Sequence, residues 1–211
     1  MIDRQESYSI QNSAQISAVV DPFTVERYSQ FSKHLRTSFV DILDVGCAEG
    51  KGGAHLKGLL PDIRLVGLDC VESRLAKLPD AYSSSVCGLT EHIPLPDQSM
   101  DAVLAGEFIE HLYPSDVDRA LCEFQRVLRV GGLVLLTTPN PYSLKMRFKR
   151  ESVYSVSHLT QHFPEALVFR LKLHGFSHIR LLGSGRATRY FGEHLPFLSL
   201  YGSYLTLASK Q

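Results

Sequence analysis

The sequence has no net charge, no tryptophan and few cysteines. Lys plus Arg and Asp plus Glu each number 22 among 211 residues, so no global field draws the chain to nucleic acid or to an anionic membrane. The four cysteines form neither a Cys-x-x-Cys pair nor a cluster with histidine. We therefore expect reduced, buried thiols and no bound metal, and nucleic acid is disfavoured as a partner.

Long apolar segments are also missing. No apolar run approaches the roughly eighteen residues of a transmembrane helix, and the polar start lacks the apolar core of a signal peptide. These absences predict a cytoplasmic protein with no transmembrane segment. A chain of this length can bury one substantial core, which favours a single domain with insertions.

A strand, a glycine-rich turn and a helix within residues 39–60 organise the chain. An apolar run at 39–43 predicts a buried strand, and residues 54–60, stopped by Pro61, predict a helix. Between them lies Asp-Val-Gly-Cys-Ala-Glu-Gly at 44–50. Glycine lets backbone approach a ligand closely, and a helix start offers unpaired N–H groups. This arrangement predicts a nucleotide site in an open α/β sheet.

Alternating strands and helices continue through the chain. Further strands are predicted at 63–69, 83–88, 100–106, 133–138, 176–182 and 204–208. Helices are predicted at 23–35, at 71–78, from a capping-box sequence at 115–118 to Gly131-Gly132, and at 164–174. The pattern predicts an α/β fold with a doubly wound, mostly parallel seven-stranded sheet and helices on both faces. We expect residues 1–20 to be only partly ordered, and 139–157 and 183–203 to form long loops.

The glycine spacing discriminates between nucleotides. A nicotinamide cofactor requires Gly-x-Gly-x-x-Gly, whereas this chain has Gly46-x-x-x-Gly50, and Asp44 would lie beside an anionic pyrophosphate. No P-loop sequence is present. A phosphate-free adenosine cofactor with a positive charge fits better, and S-adenosylmethionine meets that description. A dehydrogenase is the competing interpretation.

Five segments, in order, resemble the class I S-adenosylmethionine-dependent methyltransferases. They are 44–50, Gly-Leu-Asp at 67–69, the proline-punctuated 91–103, Glu-Phe-Ile-Glu-His-Leu at 107–112, and 126–132. The resemblance covers about residues 38–140, and a weaker similarity is present at 158–176. It implies a Rossmann-like methyltransferase domain at 37–211, with loop insertions near 139–160 and 183–203, after an N-terminal arm and helix at 1–36.

The resemblance also implies the cofactor contacts. Asp69, 19 residues after Gly50, would accept the ribose hydroxyls, and Asp44 would bind waters or the methionine ammonium. Glu107 would lie beside the methionine portion. The full predicted set is Asp44, Gly46, Cys47, Ala48, Gly50, Asp69, Cys70, Leu89, Thr90 and Glu107. The family usually has an acid where Leu89 stands, so the adenine is expected to contact the Thr90 N–H, Leu89 and Cys70. Structural alternatives are a helix N-cap for Asp69, a turn cap for Asp44 and a solvent-facing helix start for Glu107.

Methyl transfer depends mainly on alignment of the nucleophile, and a base is needed only for a hydroxyl that must lose its proton. His158, His111 and Glu107 are the catalytic candidates, each with a structural role as the alternative. Glu110 is a weaker candidate. No Asn/Asp-Pro-Pro-Tyr sequence follows the fourth strand, so resemblance to the DNA amino-methylating branch is lacking.

The acceptor is expected to meet the two long loops and the N-terminal helix. Their basic side chains suit a phosphate or acidic sugar, and their aromatic side chains suit a ring: Lys145, Arg147, Lys149, Arg150, Arg186, Arg189, Tyr142, Tyr154, Tyr190 and Phe191. Solvated loop charges are the alternative. Residues 195–203 resemble tails of methyltransferases of bacterial surface-glycan assembly.

We therefore predict methyl transfer to oxygen of a small molecule or glycan intermediate. Methylation of a quinone-type or lipid-like ring and a catalytically inactive cofactor-binding scaffold subunit are the alternatives. A homodimer is compatible with the sequence.

Overall fold

The computed structural model describes residues 4–13 and 23–211. The N-terminal residues that it describes form a helix, α1 (Arg4–Ser13), so the expected partial order is wrong for this segment. The same expectation for residues 1–3 and 14–20 lies outside the described residues. Among the described residues, no helix combines the length and the apolar character needed to cross a bilayer.

Seven strands form one sheet. They are β1 (Asp41–Val45), β2 (Arg64–Asp69), β3 (Tyr82–Cys87), β4 (Met100–Gly106), β5 (Leu128–Pro139), β6 (Phe176–Ser184) and β7 (Ser203–Lys210), in the order β3-β2-β1-β4-β5-β7-β6. Only β7 runs antiparallel to its neighbours β5 and β6. The predicted doubly wound, mostly parallel seven-stranded sheet is confirmed. Because the winding reverses between β1 and β4, the carboxyl ends of these two strands border a crevice.

Helices cover both faces of the sheet. After α1 come α2 (Thr24–Ser32), α3 (Lys51–Leu59), α4 (Glu72–Leu75), α5 (Pro114–Val127), α6 (Leu144–Lys149), α7 (Pro164–Leu173) and α8 (Thr188–Phe191), with 3-10 turns at Ile109–His111 and Leu198–Leu200. Alternate residues of each strand face opposite sides. Thus Leu43 packs in a core with α5 and α7, whereas Ile42 packs in a second core with α2 and α3.

The boundary between α5 and β5 differs from the prediction. The helix ends at Val127 and the strand begins at Leu128, so Gly131-Gly132 lies inside the strand segment and does not end the helix. Gly131 has a φ of +79°, and the pairing of β4 with β5 shifts register at this place. The capping box is also wrong, because Tyr113 is the N-cap and Pro114 begins the helix.

The boundaries of three further elements also differ from the predicted ones. β1 starts at Asp41, where the N–H groups of Val40 and Asp41 donate to the Asp101 carboxylate of the neighbouring β4, at 2.8 and 2.9 Å, and not to a strand carbonyl. α3 starts at Lys51, earlier than expected, and α4 covers only four residues because the following turns close with i→i−3 hydrogen bonds. The two predicted loops contain α6 and α8.

Candidate functional site

A cavity of about 770 Å³ lies at the carboxyl ends of β1, β2 and β4. This volume is within the usual range of ligand pockets, roughly 300–1,000 Å³. Of the predicted site residues, the cavity wall contains Gly46, Cys47, Ala48, Asp69, Cys70, Leu89, Thr90, Glu107, His111 and His158. Asp44 and Gly50 do not line it. The fold therefore collects residues from 46 to 158 around one space.

The turn after β1 is held by backbone hydrogen bonds. The N–H groups of Gly46 and Cys47 both donate to the Leu68 carbonyl, at 2.8 and 3.2 Å. Gly46 and Gly50 have φ of +67° and +78°, the left-handed region that favours glycine. Gly50 is the N-cap of α3 and lies behind the cavity, where an added Cβ would be 2.7 Å from both Leu78 and Pro79. It shapes the turn by close packing, and the structure shows no path from it to the cavity.

Asp44 is fully buried behind the turn. Its two carboxylate oxygens accept hydrogen bonds from the hydroxyls of Tyr28 and Tyr82, each at 2.5 Å. Burial raises the pKa of Asp44 to about 6, although the two tyrosine hydroxyls act in the opposite direction. Both oxygens face tyrosines and Asp44 does not line the cavity, so its contact with waters or a methionine ammonium stays a prediction. Neither tyrosine was anticipated, since they lie 16 and 38 residues away in sequence.

Asp69 ends β2 at the cavity wall. Oδ2 accepts from the Ala48 N–H at 3.0 Å and Oδ1 accepts from the Val71 N–H at 2.9 Å. Arg74 lies 3.9 Å from Oδ1. Burial raises the pKa of Asp69, with these backbone bonds opposing it. The carboxylate therefore ties the β1 turn to the β2 turn, and it lines the cavity at the position predicted for the ribose.

Cys70, Leu89 and Thr90 form the far wall next to Asp69. Burial raises the pKa of the Cys70 thiol to about 12, so it remains protonated and acts as an apolar wall at neutral pH. The three residues predicted to contact the adenine therefore line the same cavity. Its contact with the adenine stays a prediction.

Helix α1 closes this end of the cavity. Tyr8 and Asn12 line the space. The Tyr8 hydroxyl donates to Asp116 at 2.7 Å and accepts from the Tyr113 N–H at 2.8 Å, while Arg74 donates to the Asn12 carbonyl. The sequence gives little indication that this helix lines the cavity. The segment is polar, and its buried aromatic residue, Tyr8, bonds to a partner more than a hundred residues away.

Two glutamates lie beyond β4, in different environments. Glu107 lines the cavity with a φ of +51°, and its N–H donates to the carbonyl and hydroxyl oxygens of Thr137, both at 3.0 Å. Its Oε1 is buried without a hydrogen-bond partner, 4.0 Å from Nε of Arg27. Glu110 is fully buried behind the wall, where it accepts from the Thr138 hydroxyl at 3.0 Å. Burial, and then the charge of Glu107, raise the pKa of Glu110 well above its ordinary value.

His111 and His158 stack edge to face at the wall, with ring centroids 4.8 Å apart. Nδ1 of His111 is 2.9 Å from the Ser157 carbonyl, and Nδ1 of His158 is 2.9 Å from the Val153 carbonyl. Burial lowers the pKa of His111 to about 4, so this ring is neutral at physiological pH. One ligand atom from each of Glu110, His111 and His158 falls within 4.8 Å of the others. The backbone bonds explain the position of both rings without an ion.

The opposite end of the cavity is lined by α2 and by the segment after β6. Phe23, Thr24, Glu26, Arg27 and Gln30 line it from one side, and Ser184, Gly185, Thr188 and Ser203 from the other. The basic and aromatic loop residues that were expected to meet an acceptor are absent from this wall. Lys145, Arg147, Lys149 and Arg150 instead project from α6 and its end into solvent.

Known proteins share this fold and this sequence segment. Residues 43–136 match a family profile described as a methyltransferase domain. A probable S-adenosylmethionine-dependent methyltransferase of Mycolicibacterium smegmatis is 38% identical over 104 residues, which cover 47% of this chain and 38% of that protein. A malonyl-acyl-carrier-protein O-methyltransferase of Yersinia pestis is 38% identical over 104 residues, covering 48% and 37%.

A crystal structure of a SAM-dependent methyltransferase from Thermotoga maritima has a TM-score of 0.74 at 18% identity, covering 97% of this chain and 100% of that one. This likeness confirms the predicted fold class. The chain spans about two fifths of the length of the two curated relatives. The family profile, at 43–136, spans the turns after β1 and β2 and the end of β4, whereas α2 and the chain after β6 lie outside it.

Proposed function

We propose that this chain, which belongs to the class I S-adenosylmethionine-dependent methyltransferases, transfers a methyl group to an oxygen of a small molecule or glycan intermediate. The observation that carries the proposal is one continuous cavity. It runs from the β1 and β2 turns, past Glu107, to the wall formed by α2 and Thr188. A cofactor and an acceptor can therefore meet without rearrangement of the sheet.

The residues present suit the cofactor. Asp69 supplies a carboxylate beside the cavity, and the small side chains of 46–48 leave room for a closely packed ligand. S-adenosylmethionine, when bound, supplies an activated methyl group on a cationic sulfur. We propose that Gly46, Cys47 and Ala48 contact its amino-acid and ribose parts, that Asp69 holds the ribose, and that Cys70, Leu89 and Thr90 enclose the adenine. Asp44 and Gly50 would support the site from behind.

Glu107 is the proposed general base. Its carboxylate lines the cavity between the two ends, and Oε1 has no hydrogen-bond partner among the residues that the structure describes. A hydroxyl on an acceptor in the cavity would donate to this carboxylate and be positioned in the same step. General bases of this kind contribute roughly 10²–10⁴-fold to a rate. Arg27, whose Nε is 4.0 Å from Oε1, is suited to position the carboxylate.

His111 and His158 are proposed to shape the wall rather than to move protons. Their Nδ1 atoms are engaged by backbone carbonyls, and burial lowers the pKa of His111 to about 4. The Yersinia pestis relative is named as an O-methyltransferase, which supports oxygen as the acceptor atom here. We place the acceptor between Glu107 and Thr188.

The test combines binding with transfer. Calorimetric titration with S-adenosylhomocysteine should give one site, and radiolabelled S-adenosylmethionine should label a product in a fractionated cell extract. Glu107→Gln should retain the binding heat and lower the transfer rate by roughly 10²-fold or more. Glu151→Gln, on the exposed surface, is the matched control and should transfer at the wild-type rate.

Each failure has a different meaning. Absence of binding heat would overturn the proposed function itself. Binding without labelling of any product would support the inactive scaffold instead. A Glu107→Gln variant with full transfer rate would remove Glu107 from the base role and leave alignment alone as the mechanism.

A further inference from the structure

Three short segments after β5 and β6 are linked to one another, and we call their exposed side chains together the aromatic–basic face. It consists of α6 with Arg150, α8 with Arg186, and the turn 197–200. The Asn140 amide joins the first and third segments, donating to the carbonyls of Leu198 at 2.7 Å and Tyr201 at 3.1 Å. The Tyr201 hydroxyl donates to the Gly192 carbonyl at 2.8 Å, which ties the turn to the end of α8.

Large apolar side chains of this face are exposed. Phe148 is 83% exposed, Tyr190 72% and Phe197 64%, and Phe191 and Leu200 are also exposed. Helix α6 buries none of its residues, so the core does not explain why this helix forms here or why it carries a phenylalanine. A cluster of exposed apolar groups of this kind is typical of an interaction site.

Cations surround these apolar groups. Lys145, Arg147, Lys149, Arg150 and Arg186 are all exposed. Lys149 pairs with Glu151 at 3.5 Å, whereas the other four make no ion pair with any residue that the structure describes. Because the whole chain has zero net charge, this is a local excess of positive charge that composition alone conceals.

We propose that the aromatic–basic face binds the surface of an anionic lipid bilayer. Exposed Phe and Leu side chains surrounded by Lys and Arg are what a peripheral protein needs, because the apolar groups enter the acyl boundary while the cations meet the headgroups. Each cation near such a surface strengthens binding by about five-fold. The four unpaired cations together therefore suffice for strong dependence on lipid charge.

Other occupants fit the face less well. A second copy packed symmetrically would set the same unpaired cations against each other, which repels. A single-stranded nucleic acid would use aromatic rings as stacking platforms, but the aliphatic Leu200 shares the turn with Phe197 and offers no ring.

The face lies next to the acceptor end of the cavity. Thr188 belongs to α8 and lines the cavity, and Gly185 and Ser203 do so from the adjoining chain. An acceptor with a lipid-like portion and a hydroxyl could therefore pass from the bilayer to Glu107 along a short path. This assignment of the acceptor rests on the proposed function, whereas membrane binding does not.

Vesicle co-sedimentation tests the proposal, with the full chain and without cofactor. The protein should sediment with phosphatidylcholine vesicles that contain phosphatidylglycerol, much less with phosphatidylcholine alone, and less at high salt. Arg147→Gln combined with Arg150→Gln should weaken binding roughly 25-fold, taking about five-fold for each cation. Phe148→Ser combined with Phe197→Ser should also weaken it.

Val130→Ser and Phe169→Ser are the controls, because both residues are exposed and apolar but lie outside the face. They should bind vesicles like the wild type. All variants should keep their melting temperature and their binding heat with S-adenosylhomocysteine. This check separates loss of the face from loss of the fold, and it separates the present proposal from the proposed function.

Equal sedimentation with neutral and anionic vesicles, or unchanged binding by both double variants, would overturn the proposal. Failure to bind any vesicle would also overturn it. Tight binding of transfer RNA, or dimerisation that the arginine variants abolish, would then identify the occupant of the face. Retained S-adenosylhomocysteine binding in those cases would leave the proposed function intact.

Discussion

Replacing Tyr28 and Tyr82 by phenylalanine removes the two hydroxyls that donate to the buried Asp44 carboxylate. The rings remain, so their packing against Gly52 and Gly53 is kept. A hydrogen bond to a charged group is worth about 1.5–3 kcal/mol. Each single variant should therefore lose about that much free energy of unfolding. For a chain of this size the melting temperature should fall by roughly 2–4 °C for each kcal/mol.

The loss of unfolding free energy in these variants should depend on pH, and the pKa of Asp44 decides at which pH the loss is larger. Burial raises that pKa from 3.8 to about 6 in the folded protein. The native state therefore binds the proton more tightly than the unfolded chain, and about 3 kcal/mol of stability that is present below pH ~4 is lost as the pH rises through ~6. The tyrosine hydroxyls limit that loss, because they stabilise the ionised form.

Without the hydroxyls, the pKa of Asp44 should rise further and the loss should continue to higher pH. The double variant should consequently be destabilised more at pH 8 than at pH 5, by about 2 kcal/mol. Urea unfolding followed by circular dichroism at both pH values measures the difference. Tyr154→Phe, at an exposed tyrosine, is the matched control and should change stability by less than about 0.5 kcal/mol at either pH. An equal loss at pH 5 and pH 8 would refute the assignment of these hydroxyls to a buried carboxylate.

Three further predictions concern the site and its support. Gly50→Ala should lower the free energy of unfolding by about 2–4 kcal/mol, because φ is positive and the new Cβ would lie 2.7 Å from Leu78 and Pro79. Gly58 has open space around it, so Gly58→Ala should raise the free energy of unfolding by about 0.5–1 kcal/mol. Equal shifts of the melting temperature in the two variants would contradict this. Asp69→Asn should weaken S-adenosylhomocysteine binding by roughly 10–100-fold in calorimetry, because one side-chain acceptor is lost, and an unchanged affinity would count against the ribose contact. Burial lowers the pKa of His162 to about 4, so its stabilisation is present above pH ~6.5 and is lost as the pH falls towards 4. His162→Gln should therefore lose about 2 kcal/mol less than the wild type between pH 7 and pH 5 in urea unfolding, and an identical loss would contradict the shift.

The local pattern of the chain was sufficient for the order of the seven strands and for the position of the cavity at their carboxyl ends. Apolar runs, prolines and the glycine turn act within a few residues of one another, and parallel strands bring their carboxyl ends to one edge. Asp69 lines the cavity for this reason, because it ends β2 at the same edge of the sheet. The helix end at Val127 was missed because the glycine pair, which signals a helix end by itself, lies inside β5, in an irregular stretch between Leu128 and Leu133, the residues that pair with β4.

By itself the sequence determined the sheet and the turn, because these depend on periodicity and on short motifs. Tertiary structure alone decided that Asp44 faces Tyr28 and Tyr82 instead of the cavity, that α1 lines the cavity together with Cys70 and Thr90, and that the basic residues of α6 lie on an outer surface. Each depends on contacts between segments far apart in the chain, whose burial and hydrogen bonds exist only after the sheet has formed.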